Sequence, residues 1–124
     1  MPSGKIVVID DDAALLGAVR RLLTAAGFEV VTSDSALRLP QLVQREKPDL
    51  ILLDLEMPAL SGEHVLDFTK LFEFLREIPI VLHSSKGEDE LQALVERSSA
   101  IGYIRKTTNA LSLVAQVQKF LAKP

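Results

Sequence analysis

The run KIVVI, Lys5–Ile9, is apolar at successive positions rather than at alternate ones. A strand patterned this way is buried on both faces, as in parallel sheets covered by helices on either side. DLILLD (Asp49–Asp54) and PIVLHS (Pro79–Ser84) read as two further strands, and the first of them is the most apolar in the chain. FEVVT (Phe28–Thr32) and IGYIRK (Ile101–Lys106) complete a set of five. FEVVT is short and more polar, as suits a strand near an edge.

Between these strands, apolar residues recur at helical spacing. Leu15, Leu16, Val19, Leu22 and Leu23 predict a first helix, with Asp12 as its N-cap and Gly27 just past its end. A second helix falls within SALRLPQLVQREKP, with Pro40 in its first turn. Val65, Leu66, Phe68, Leu71, Phe72 and Leu75 predict a third over Gly62–Arg76. A fourth, GEDELQALVERS, carries acidic residues in its first turn, where the helix dipole favours them. The last is capped by Asn109 or a neighbouring Thr and turns Leu111, Val114, Val117, Phe120 and Leu121 inward.

Strand and helix alternate five times, at about 20–25 residues per unit, the pattern of a doubly wound parallel α/β sheet. The 124 residues suit one domain spanning 1–124, with a core over about residues 5–122. A content of 48% apolar and 25% charged residues is that of a soluble globular chain. A net charge of −3 argues against a general nucleic-acid surface, so no direct nucleic-acid binding is expected. The absence of cysteine excludes disulfides, thiolate metal sites and cysteine nucleophiles, and fits a cytoplasmic setting. No apolar stretch approaches the ~20 residues of a membrane span, and MPSGK leads straight into a strand rather than a signal-peptide pattern.

In such a sheet, ligands bind beyond the carboxyl ends of the strands. Strand 1 ends in Asp10 and Asp11, strand 3 in Asp54, strand 4 in Ser84, and strand 5 near Lys106. With strand order 2-1-3-4-5, these four strands are successive neighbours, and three carboxylates, a hydroxyl and an ammonium converge on one rim. Clustered carboxylates raise the cost of one another's ionisation and call for a cation. An all-oxygen set favours Mg²⁺. A carboxylate beside that ion is a nucleophile towards phosphorus, while the hydroxyl and the lysine neutralise phosphoryl oxygens in the transition state.

The segments VVIDDD, LLDLEMPALSG, PIVLHSS and GYIRK stand in the order and at the spacing of the receiver domain of the two-component response-regulator family, which the chain resembles over about residues 5–122. The resemblance implies a flavodoxin-like fold of five strands flanked by five helices. It implies that Asp54 accepts a phosphoryl group from a histidine kinase or phosphotransfer protein. Asp11 would bind Mg²⁺, or another divalent cation such as Mn²⁺, directly. Asp10 would assist, and the backbone carbonyl of Glu56 would supply a further ligand. Ser84 matches the family's switch hydroxyl, Lys106 its lysine and Tyr103 its aromatic switch position. The output surface would lie on the fourth helix, strand 5 and the fifth helix, facing a downstream protein partner or output domain. Such a domain turns over no external substrate, though it takes part in its own phosphorylation and dephosphorylation. One departure stands out: the family follows its lysine with proline through a cis peptide bond, and here Thr107 follows Lys106. A non-proline cis bond costs about 2.5–4 kcal/mol.

Several of these residues also have plainer readings. Asp12 is better explained as a cap than as a ligand. Ser84 has Ser85 beside it as an alternative hydroxyl, and Tyr103 fits a core or a surface position equally. His83 reads as a packed core histidine and His64 as an exposed helix residue. Glu56 and Lys86, two residues after Asp54 and Ser84, are expected to pair across the pocket and to influence the lifetime of a phosphorylated state.

Three other functions compete. A degenerate receiver acting as a phosphorylation-independent docking or dimerisation module is kept alive by Lys106-Thr107. A flavodoxin-type electron carrier would need a phosphate-cradling loop after strand 1, where three aspartates stand instead. A haloacid-dehalogenase-like phosphatase would share the Asp-x-Asp pattern, but Ala14 stands where that family has Thr or Val, and the chain is short for it.

Overall fold

Five parallel strands form one sheet in the order β2-β1-β3-β4-β5. They are β1 (Lys5–Ile9), β2 (Glu29–Ser33), β3 (Leu50–Asp54), β4 (Ile80–Ser84) and β5 (Gly102–Arg105). The structure, a computed structural model, describes residues 4–56, 78–106 and 109–122. Its helices are α1 (Ala13–Ala25), α2 (Leu39–Glu46), α3 (Glu88–Arg97) and α4 (Ala110–Ala122), with a single 3-10 turn (Ala36–Arg38) leading into α2. The last two are the fourth and fifth helices of the sequence reading. The third, expected over Gly62–Arg76, lies outside the described residues, as do Met57, Pro58 and His64.

The sheet is doubly wound because its central strands are apolar on both faces. Val7, Ile9, Ile51, Leu53, Ile80 and Leu82 point to one side, against Leu39, Leu42 and Val43 of α2 and Leu91 and Leu94 of α3. Ile6, Val8, Leu50, Leu52, Val81 and Ile104 point to the other, against Val19 and Leu23 of α1 and Leu113 and Val117 of α4. Each buried aliphatic side chain contributes about 1.5–3 kcal/mol. The two cores therefore fix the sheet, and the sheet fixes its polar rim.

Local signals set where the elements begin and end. Asp12 caps α1, accepting the Leu15 N–H at 3.1 Å. Gly27 follows the helix at φ 101°, a conformation open mainly to glycine. Pro40 sits in the first turn of α2, where its missing N–H costs nothing, and Lys47 ends that helix in the left-handed region at φ 48°. Asn109 Oδ1 accepts the Ser112 N–H at 2.9 Å at the start of α4.

Two expectations are corrected. The edge strand runs one residue later than predicted, because Phe28 drops into the core under α1 and pairing starts at Glu29. Leu111 is 85% exposed rather than inward. Leu113 and Val117 define the buried line of α4, and residues two apart on a helix face nearly opposite sides.

Contacts in two further places tie the frame together. At the amino ends of the strands, Lys5 Nζ meets Glu46 at 3.1 Å and Glu29 at 3.3 Å, while the Lys5 N–H donates to Asp49 Oδ2 at 2.7 Å. On β5, a Cβ at Gly102 would fall 2.5 Å from the Phe120 ring, so only glycine lets α4 pack this closely. None of the described helices is long and apolar enough to cross a membrane.

Candidate functional site

The carboxyl ends of β1, β3, β4 and β5 deliver the site. Asp10 follows β1, Asp54 closes β3, Ser84 closes β4, and Lys106 follows β5. Asp54 has no exposed surface and Asp10 only 1%. Each carboxylate is held by one oxygen through the amide two residues on: Asp12 N–H donates to Asp10 Oδ1 at 2.9 Å, and Glu56 N–H to Asp54 Oδ1 at 2.9 Å. The Lys106 N–H donates to the Ser84 carbonyl at 2.8 Å, continuing the ladder and setting the lysine beside the serine.

Lys106 Nζ then reaches three acids, Asp54 Oδ1 at 2.8 Å, Asp10 Oδ2 at 3.3 Å and Glu56 Oε2 at 3.3 Å. Whatever follows at Thr107, which lies outside the described residues, the lysine is in the pocket. Burial alone would push this ammonium down, but Asp54, Asp10 and Glu56 together raise its pKa well above the usual lysine value. Burial raises the Asp54 carboxyl, with Asp10 adding to it, against the opposing pull of Lys106 and the Glu56 amide. The site holds more acid than its one lysine balances.

The side chain of Glu56 takes a part that the sequence reading did not foresee. Burial works against its ionisation, yet donors from Ser85, Ser84 and Lys106 hold its pKa down at about 2. Ser84 Oγ donates to Glu56 Oε1 at 3.0 Å, the Ser85 N–H donates to the same oxygen at 2.6 Å, and the Ser85 hydroxyl donates to it as well. The expected Glu56–Lys86 pair is absent: Lys86, just before the N-cap Gly87, places its Nζ 3.4 Å from Glu90 in the first turn of α3 instead. The signal for the true arrangement was the doubled serine at the end of β4, two hydroxyls facing an acid two residues beyond β3.

The remaining expected residues fall on either side. Ser84 is fully buried and Ser85 exposed, so Ser84 is the hydroxyl at the strand end. Tyr103 is half-buried and packs against the α2–α3 core. His83 is buried on β4, and burial, with the Lys106 charge beside it, lowers its pKa to about 4. Asp11 is exposed at the pocket mouth, and it also borders a cleft of about 460 Å³ between α1 and the end of β2, where Arg20, Ser33, Asp34 and Arg38 stand.

One oxygen from each of Asp10, Asp11 and Asp54 lies within 4.8 Å of the others. Buried Asp54 Oδ2 accepts no hydrogen bond, and buried Asp10 Oδ2 has only the 3.3 Å ion pair with Lys106. Buried acceptors of this kind need a partner, and an all-oxygen acidic set suits a hard divalent cation such as Mg²⁺. The residues fit the ion.

Comparison with known proteins follows the same lines. The family model described as the response regulator receiver domain matches residues 6–118. The phosphate regulon transcriptional regulatory protein PhoB of Pseudomonas aeruginosa is 30% identical over 118 residues, 95% of this chain and 52% of PhoB. The chain thus spans about half the length of that relative. The polar-differentiation response regulator DivK of Brucella ovis is 27% identical over 119 residues, 94% of each chain. Among solved structures, the BeF3-activated N-terminal receiver domain of Klebsiella pneumoniae RstA superposes with a TM-score of 0.83 at 29% identity, covering 96% of this chain and 99% of that one. The signal receiver domain of the response regulator NarL from Mycobacterium tuberculosis gives 0.84 at 21% identity over 100% of both chains, a likeness of fold alone.

Proposed function

The chain belongs to the response regulator receiver domain family, and from that membership we propose that it is a phosphorylation-controlled signalling switch whose acceptor is Asp54. The observation that carries the proposal is the meeting of Asp54, Asp10 and Lys106 at ion-pair distance on the carboxyl rim of the sheet.

An Asp54 carboxylate oxygen forms a bond to phosphorus as the P–N bond of a phosphohistidine breaks, on a histidine kinase or phosphotransfer protein. The leaving imidazole nitrogen keeps the electron pair and takes a proton. Lys106 neutralises one phosphoryl oxygen, and the Ser84 hydroxyl, once turned, donates to another. Asp11, Asp54 and the Glu56 backbone carbonyl, with Asp10 assisting, would hold Mg²⁺ or Mn²⁺, which would offset the negative charge gathered on the transferring group. Desolvation that raises Asp54 also keeps it a less hydrated nucleophile.

The phosphoryl group adds about −1.5 to −2 charges at a buried point. Drawing in Ser84 moves the link from β4 to α3, and Tyr103 turns with it. The surface of α3, β5 and α4 changes and is read by a downstream protein partner or output domain, a shift between two packings. This activity belongs to the cytoplasm, and it is a signalling exchange rather than turnover of an external substrate.

Intact mass after incubation with Mg²⁺ and a small phosphoryl donor tests the reading. One added phosphoryl group, lost in Asp54→Asn and in metal-free buffer, is the expected result. A folded protein that takes none sinks it.

A further inference from the structure

Four donor contacts converge on the Glu56 carboxylate: Ser84 Oγ, the Ser85 amide, the Ser85 hydroxyl and Lys106 Nζ. Two of these donors, Ser84 and Lys106, are the groups that a phosphoryl group on Asp54 needs. Glu56 binds them from the next strand-end loop, with Asp54 itself only two residues away and hydrogen-bonded to the Glu56 amide at 2.9 Å. We propose that Glu56 is a built-in competitor for the phosphoryl group, a positioning residue that holds Ser84 and Lys106 in the resting arrangement and limits the rate at which Asp54 is phosphorylated. The inference rests on the reading of Asp54 as acceptor.

The competition has two parts. Ser84 cannot donate to a phosphoryl oxygen while its single O–H proton is given to Glu56 Oε1, since a hydroxyl donates once. Lys106 shares its charge among three acids, so an incoming phosphoryl group meets an ammonium already engaged. Glu56 also adds a negative charge beside a route taken by an anionic donor. The Ser85 contacts make the grip firm: two donors from one residue fix the carboxylate against the β4 end, so the hold on Ser84 does not depend on Ser84 alone. Release is therefore one event, in which Glu56 swings out and both Ser84 and Lys106 become free.

Glu56→Gln keeps the size of the side chain and removes its charge. The rate of Asp54 phosphorylation by a small phosphoryl donor, at saturating Mg²⁺, is expected to rise about five-fold or more. Without donor, the Ser85 amide proton should move upfield in the NMR spectrum, because a bond to a neutral amide oxygen is weaker than one to a carboxylate. Ser85→Ala loosens the grip without changing charge and is expected to give a smaller rise in rate. If both variants fold but phosphorylate at the wild-type rate or below, Glu56 is no competitor, although Asp54 remains the acceptor. If neither the wild type nor Glu56→Gln gains a phosphoryl group, the acceptor reading itself is wrong and the inference goes with it.

Discussion

Lys106 Nζ stands 2.8 Å from Oδ1 of the fully buried Asp54, reached by a backbone that is itself tied to Ser84. The chemistry of the pocket turns on this pair, because the lysine is the only cation bonded to its buried acids among the described residues.

Replacing Lys106 with Met leaves Asp10 and Asp54 facing each other without a counter-charge. Uncompensating a buried charge costs roughly 3 kcal/mol. Urea unfolding of Lys106→Met at neutral pH should show a loss of that order, and phosphorylation by a small donor should slow at least ten-fold. A variant as stable as the wild type would mean that the acids do not depend on the lysine.

Asp54→Asn should do the opposite in cation-free buffer. The folded-state pKa of Asp54 lies above its ordinary 3.8 because of burial, so its ionisation lowers stability as pH rises through and above that value. Removing the charge should stabilise the fold and flatten that slope. Saturating Mg²⁺ should reverse the ranking: a cation at a hundred times its Kd adds about 2.7 kcal/mol to the wild type, and much less to Asp54→Asn or Asp11→Asn. Thermal melts with and without Mg²⁺ decide this, and equal gains in all three proteins would remove these aspartates from the metal site.

His83 supplies a separate acid-side effect. Burial holds its folded pKa near 4, below the ordinary 6.5, so the unfolded chain takes up the proton first as pH falls. The stability it contributes is complete above pH 6.5 and is lost on the way down to about 4, with an upper limit of about 3 kcal/mol. Glu56 adds to the loss further down, since its carboxyl is held at about 2. In His83→Gln, denaturant midpoints should change little between pH 6.5 and 5, where those of the wild type fall.

Gly102→Ala should destabilise the fold by about 1–3 kcal/mol, the cost of overpacking, because the new methyl meets the Phe120 ring. The double variant with Phe120→Ala should recover part of this loss. Strict additivity of the two single effects would show that the ring and the glycine do not meet.

The strands were legible because parallel pairing leaves both faces buried and writes continuous apolar runs such as Ile6–Ile9 and Leu50–Leu53. Their order placed Asp10, Asp54, Ser84 and Lys106 on one rim, since strand ends carry position directly into the sequence. The side chain of Glu56 was not legible in this way. Its partners lie 28 and more residues off, across a loop whose direction no periodicity records, and Lys86 had a helical neighbour in Glu90 that the pocket argument ignored. Leu111 misled for a related reason: the spacing to Val114 fits a helix face, but the face that counts is centred on Leu113 and Val117.

Lys5, with Glu29, Glu46 and Asp49 around it, occupies the end of the sheet away from the acidic rim. Five strands all pointing one way give the molecule two poles with different responsibilities. Substitutions of Lys5, Glu29 or Glu46 are therefore expected to change stability while leaving the acidic rim as it is, so this end can be hardened or labelled apart from the other.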